Sequence, residues 1–156
     1  MILSTHFVTG TAVASLTDSP ELLVVSALVL HFLLDMIPHW EYMEELTELK
    51  QKKAQLKLAL DIIVGPVLIL ALVLFSYGTD FKKLFWFFLA GTVSVLPDGC
   101  SFLYFIFPRN KLLARIYRFH EFVHNKRSVG WKKGIPAQII LNLGAVALLA
   151  VFSKIR

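Results

Sequence analysis

The segments 22–34, 62–75 and 138–152 of this chain lack a polar face. A helix of a soluble bundle keeps one polar side toward water, and a helix that is apolar all round belongs in a protein core or in lipid. The chain is 56% hydrophobic, and its charged residues, 17% of the total, cluster between the apolar runs. Its mean hydropathy of +0.66 is far above that of a soluble globular chain. The pattern predicts an all-α fold: a polytopic transmembrane helical bundle of about 5 membrane helices with amphipathic helices on the cytoplasmic side. Residues 1–156 form a single integral membrane domain in this reading.

The elements follow from caps and breakers. A first helix over 2–16 is short and rich in Ser, Thr, Ala and Gly, a composition that lets membrane helices approach closely. At that length it is tilted, packed inside the bundle or re-entrant. Ser19-Pro20-Glu21 reads as the cap and first turn of a second helix, which Pro38 stops. Residues 41–53, acids first and bases last, read as a solvated surface helix. A third helix spans 54–77, with Gly65-Pro66 inside it, and a fourth spans 81–96, ending at Pro97-Asp98-Gly99. The run 101–107 is too short to span. Residues 110–125 form an amphipathic helix, and a basic loop to Gly134 leads into a last helix over 135–153. No Lys or Arg precedes the first apolar stretch, so that stretch reads as a retained segment and not as a signal peptide.

Charge sets the orientation. Lys50, Lys52, Lys53, Lys57, Arg109, Lys111, Arg115, Arg118, Lys126, Arg127, Lys132 and Lys133 fall on one side, and Lys82, Lys83, Lys154 and Arg156 on the other. The positive-inside rule places the first group, and the N-terminus with it, in the cytoplasm. The net charge of +5 then reflects topology and anionic headgroups and calls for no nucleic acid. The localisation expected is a prokaryotic cytoplasmic membrane, with lipids as neighbours.

Against this apolar background stand His6, His31, Asp35, His39, Asp61, Asp98, His120 and His124. Ionisable groups in hydrocarbon are costly and usually mark a functional interior, and these side chains are also ligands for divalent metals. On the topology above, all eight fall toward the cytoplasmic ends, within a slab on the order of 10 Å thick. His31 with Asp35, and His120 with His124, have the i, i+4 spacing by which one helix presents two donors to one ion. Together the eight exceed one tetrahedral zinc site and suffice for one or two ions.

Each residue also has a plainer reading. His31 and Asp35 could form a hydrogen-bonded lock between helices, and His120 and His124 could be tolerated near the interface. His39 could be interfacial, Asp61 a partner of Lys57, and Asp98 a turn residue. Asp98 and Glu121 are the candidate catalytic acid–base groups, although Glu121 could equally pair with Arg118 at the surface. Arg115 and Arg118 could clamp a substrate phosphate or simply reflect topology. The one cysteine, Cys100, excludes an internal disulfide and a Cys-based zinc site. Phosphate loops, nucleophile elbows and Cys-x-x-Cys motifs are absent from the sequence.

Thr5-His6-x3-Gly10, His31-Phe-Leu-Leu-Asp35-Met-Ile-Pro38-His39, Leu96-Pro97-Asp98 and His120-Glu121-Phe122-Val123-His124 appear in an order and spacing covering most of the chain. In this the chain resembles the predicted membrane-bound metal-dependent hydrolases related to bacterial inner-membrane YdjM-like proteins. That family usually carries Pro-Asp-x-Asp, where this chain has Pro97-Asp98-Gly99-Cys100. It also carries His-Arg-Gly-x-Thr-His-Ser, in whose place only His120 and His124 stand. The resemblance implies hydrolysis at a metal site. Combined with the residue reading, it leads to the expectation of a zinc-dependent hydrolase acting near the cytoplasmic leaflet on a lipid or lipid-linked phosphate or ester. Three rivals stay open: a carrier of metal ions or protons, a haem protein with two axial histidines, and a non-catalytic membrane protein with a degenerate site.

Overall fold

The computed structural model describes residues 1–40, 51–125, 127 and 129–153. Among these residues there are six helices and no strand: α1 (Leu3–Ala14), α2 (Pro20–Asp35), α3 (Gln51–Tyr77), α4 (Phe81–Ile106), α5 (Lys111–Val123) and α6 (Trp131–Ser153). Most of the expected surface helix over 41–53 lies outside the described residues.

Polar residues start three of the helices. Ser19 Oγ accepts from the Leu22 amide at 3.2 Å, with Pro20 in the first turn of α2. The same hydroxyl donates to Glu21 at 2.7 Å and holds that carboxyl below its usual range. Asp80 caps α4 through the amides of Lys82 and Lys83, and Asn110 caps α5 through those of Leu112 and Leu113.

α1 has no cap of its own and takes its partners from elsewhere in the fold. Asp61 of α3 accepts from the amides of Leu3 (2.7 Å) and Ser4 (2.9 Å), and Gln138 of α6 accepts from Ile2 (3.1 Å). Every residue of α1 from Ser4 to Ala14 is buried, and the helix touches α2, α3, α4 and α6. Its hydroxyls turn back on its own carbonyls, as Thr9 does to Thr5 and Thr11 to Phe7, each at 2.7 Å. Two glycines permit this close fit. A Cβ on Gly10 would fall 2.2 Å from Ser94 Cβ, and one on Gly91 would fall 2.7 Å from the Phe7 ring.

Phe7, Val8, Leu23, Ile69, Phe87, Ala90 and Leu149 close the apolar core around α1. Large apolar side chains such as Val25, Leu33, Ile63, Val67, Phe85, Ile140 and Leu143 point outward. A polar central helix inside an apolar exterior inverts the plan of a soluble bundle and suits lipid.

Three helical segments are long and apolar enough to cross a membrane: Leu56–Tyr77, Phe81–Ile106 and Trp131–Phe152. The expected count of about five is therefore not met: among the described residues three helices qualify. α1 and α2 have 12 and 16 residues. At 1.5 Å per residue they reach about 18 and 24 Å, short of a hydrocarbon core of about 30 Å.

Two further boundaries differ from expectation. α4 continues through Pro97 to Ile106, so the short run 101–107 belongs almost wholly to a membrane-length helix. α6 begins at Trp131, ahead of Pro136, because Gly134 packs against Trp40 and the Lys133 and Gly134 amides bond to the Gly130 carbonyl. Proline in a membrane helix is tolerated where neighbouring groups and local adjustments satisfy the freed backbone.

Candidate metal centre

Asp35 is the hub of the site. It sits at the last turn of α2, fully buried. Its Oδ2 lies 3.2 Å from His31 Nε2, one turn back on the same helix, and 3.0 Å from His120 Nε2 of α5. Its Oδ1 lies 3.0 Å from His6 Nε2 and 2.9 Å from the Met1 ammonium, both brought in by α1, and 3.9 Å from His124 Nε2. Asp98 comes from α4, one turn beyond buried Ser94, and its Oδ1 is 3.5 Å from His120 Nε2.

Secondary structure delivers these groups. α1 and α2 run antiparallel, so the start of one meets the end of the other. α5 folds back along the C-terminal end of α4 and presents His120 in its last turn. The chain then leaves helical geometry: His124 is extended, with φ −63° and ψ 129°. The Asn125 amide donates to the Asp35 carbonyl at 2.8 Å, and Asn125 Nδ2 donates to the Met36 carbonyl at 2.9 Å. These bonds draw the segment after α5 onto the end of α2. His120 and His124 are therefore not stacked on one helix face as an i, i+4 pair; their rings are 5.7 Å apart and nearly perpendicular.

Two histidines have their ring orientation fixed from behind. Ser101 Oγ donates to the Pro97 carbonyl at 3.0 Å and lies 2.8 Å from His120 Nδ1, from which it can accept. His39 Nδ1 donates to the Ile37 carbonyl at 2.7 Å. With the proton on Nδ1, each neutral ring turns the lone pair of Nε2 inward. This is the arrangement that orients metal-binding imidazoles.

The inward atoms crowd around the Asp35 carboxylate. His120 Nε2 faces a carboxylate oxygen at 3.0 Å and His31 Nε2 at 3.3 Å. Asp98 Oδ2, His31 Nδ1 and His6 Nδ1 are buried with no hydrogen-bond partner among the described residues, and they are the atoms turned away from the contacts that link the cluster. His31, Asp35, Asp98 and His120 can hold a metal ion, since one donor atom from each lies within 4.8 Å of all the others; Asp35, His39 and His124 form a second such group. Donors about 2.0–2.1 Å from a tetrahedral ion stand about 3.3–3.4 Å apart. Four of the six separations in the first group run from 3.0 to 3.5 Å, and the two from Asp98 to Asp35 and His31 fall within 4.8 Å.

The remaining candidates lie elsewhere. Asp61 is buried, but its two oxygens are turned to the amides that start α1 and not to the cluster. His6 touches the hub without joining either group. Glu121 is half-buried on α5 and outside both groups. Arg115 and Arg118 are exposed, and Arg118 Nε donates to the Ala114 carbonyl of its own helix. Ser101 and Gln138 escaped the sequence reading. The one hint available was Ser101 four residues after Pro97, the spacing at which a hydroxyl can reach a helical carbonyl.

Compared with protein-family models, curated proteins and solved structures, the chain matches none.

Proposed function

We propose that the protein is a membrane-embedded, metal-dependent hydrolase acting on a lipid or lipid-linked phosphate or ester at the cytoplasmic leaflet, as a divergent relative of the YdjM-like proteins. The convergence of His31, His120, Asp35 and Asp98, with one donor atom from each within 4.8 Å of the others, carries this reading. Two nitrogens and two carboxylate oxygens suit zinc. Bound zinc, expanding to five-coordinate or releasing one carboxylate, would lower the pKa of a coordinated water and polarise a phosphoryl oxygen. Asp98 Oδ2, buried with no hydrogen-bond partner among the described residues, would take the water's proton. As the new O–P bond forms and the ester P–O bond breaks, that proton passes to the departing oxygen. Ser101 keeps His120 in the tautomer that directs Nε2 inward.

The depth of the site selects the substrate class. Asp98 lies within an apolar spanning helix, next to an amphipathic helix whose Arg115 and Arg118 are exposed at headgroup level. The carrier reading has one observation in its favour: Ser94 Oγ and Asn142 Oδ1, each one turn outward of a site-end residue, are buried without partners.

The deciding experiment is metal analysis of detergent-purified wild type beside Asp35→Ala and His120→Ala, followed by assay on phospholipids and isoprenoid phosphates. The expected result is zinc in the wild type, loss of zinc and hydrolysis in both variants, and no zinc flux in proteoliposomes. Zinc flux without hydrolysis would establish the carrier. Folded wild type that takes up no metal would refute both.

A further inference from the structure

Beside the first group, Asp35 offers a second set of donors. Its Oδ2 serves His31 and His120, whereas Oδ1 faces away from them toward His124 Nε2 at 3.9 Å. His39 is buried, and its Nδ1 proton is committed to the Ile37 carbonyl, so a neutral ring has only a lone pair left at Nε2. The His39 and His124 rings lie 4.8 Å apart at 83°. One donor atom each from Asp35, His39 and His124 lies within 4.8 Å of the others. Two ring nitrogens and a carboxylate oxygen gathered in this way make a donor set for a divalent cation, which would compete with the Met1 ammonium for Oδ1.

We propose that Asp35 is a bridging carboxylate: Oδ2 belongs to the first metal position and Oδ1 to a second one completed by His39 and His124. This deepens the hydrolase reading, because paired ions stabilise both the attacking and the leaving oxygen of a phosphoester and so favour that substrate over a carboxyl ester. The second position is the weaker. Its donors are spread more widely, the His124 side chain is 14% exposed, and Oδ1 is shared with His6 Nε2 and the Met1 ammonium. Sequence and topology both keep it apart from the first. His39 follows the end of α2 and His124 follows the end of α5, so two non-helical segments pinned together by Asn125 form it.

The test is a Mn2+ titration of the full chain in detergent, followed by electron paramagnetic resonance. Two binding steps are expected in the wild type. Ions bridged by one carboxylate, about 3.5–4 Å apart, should give an exchange-coupled spectrum at saturation. His39→Gln and His124→Gln should each abolish the weaker step and the coupling while keeping the tighter step, which also shows that the variants are folded. A single step in the wild type overturns the proposal without any variant, as do two steps that both survive in the double variant. Two coupled ions without hydrolysis of any lipid phosphate would uphold this inference and reject the hydrolase. A single ion with hydrolysis would do the reverse.

Discussion

Ser101 lets the orientation of a metal ligand be tested apart from the ligand itself. Its hydroxyl holds His120 Nδ1 at 2.8 Å and is itself held by the Pro97 carbonyl. Ser101→Ala removes that support and leaves every proposed ligand in place. Losses of this kind typically weaken metal affinity by about 10- to 100-fold. Competition against a chromophoric chelator should show such a drop, with the thermal unfolding of the metal-free protein little changed. Unaltered affinity would mean that packing alone orients His120. The histidines and Asp35 were legible in the sequence because a charged group in an apolar run is improbable without a purpose. Ser101 was not, because serine is ordinary in membrane helices. Asp61 was legible as unusual but not as to role. A carboxylate that accepts amides and one that accepts a cation look alike until the neighbouring helix is placed.

At the scale of elements, α1 is held by groups that lie far away in sequence. Its first amides are free by helix geometry, and Asp61 and Gln138 meet them from α3 and α6. Asp61→Ala should therefore lower stability by about 0.5–2 kcal/mol, the range for a lost cap. Unfolding in mixed micelles measures the loss, and metal content should stay at the wild-type value. Loss of the metal from a protein of unchanged stability would make Asp61 a ligand after all. Helix existence was largely readable from the apolar runs and from Ser19-Pro20. Helix extent was not. Pro97 signals a stop when read alone, yet α4 continues to Ile106, with Pro97 buried and its carbonyl accepting from Ser101. The loss of one backbone bond is a local penalty, and the packing that outweighs it is absent from a linear reading. The burial of α1 was only half visible. Its small residues announced close packing, but that it sits at the centre of the bundle depends on all four surrounding helices.

For the whole molecule, the direction in which the bundle sits decides what the site can reach. The site and the bulk of the Lys and Arg share one end. Arg115, Arg118 and Arg127 lie there, exposed, while Lys82 and Lys83 lie at the opposite end, beyond the turn that follows α3. Along α5, the exposed Leu112, Phe119 and Phe122 alternate with Arg115 and Arg118. A helix of that composition suits an interface, with rings in the acyl border and guanidinium groups among phosphates. The inner leaflet is the anionic one, so it attracts this end, and moving this many cations across the bilayer during insertion is opposed. In a Cys100→Ser background, Arg118→Cys should react with a membrane-impermeant maleimide only after spheroplasts are lysed. Lys82→Cys should react in intact spheroplasts. The opposite pattern would place the His–Asp site at the outer leaflet. It would also remove the reason for expecting a cytoplasmic substrate, because α1 is wedged between four helices and holds His6 beside Asp35. The site cannot change sides without the whole bundle turning over, so labelling at these two positions fixes the compartment from which the substrate must arrive.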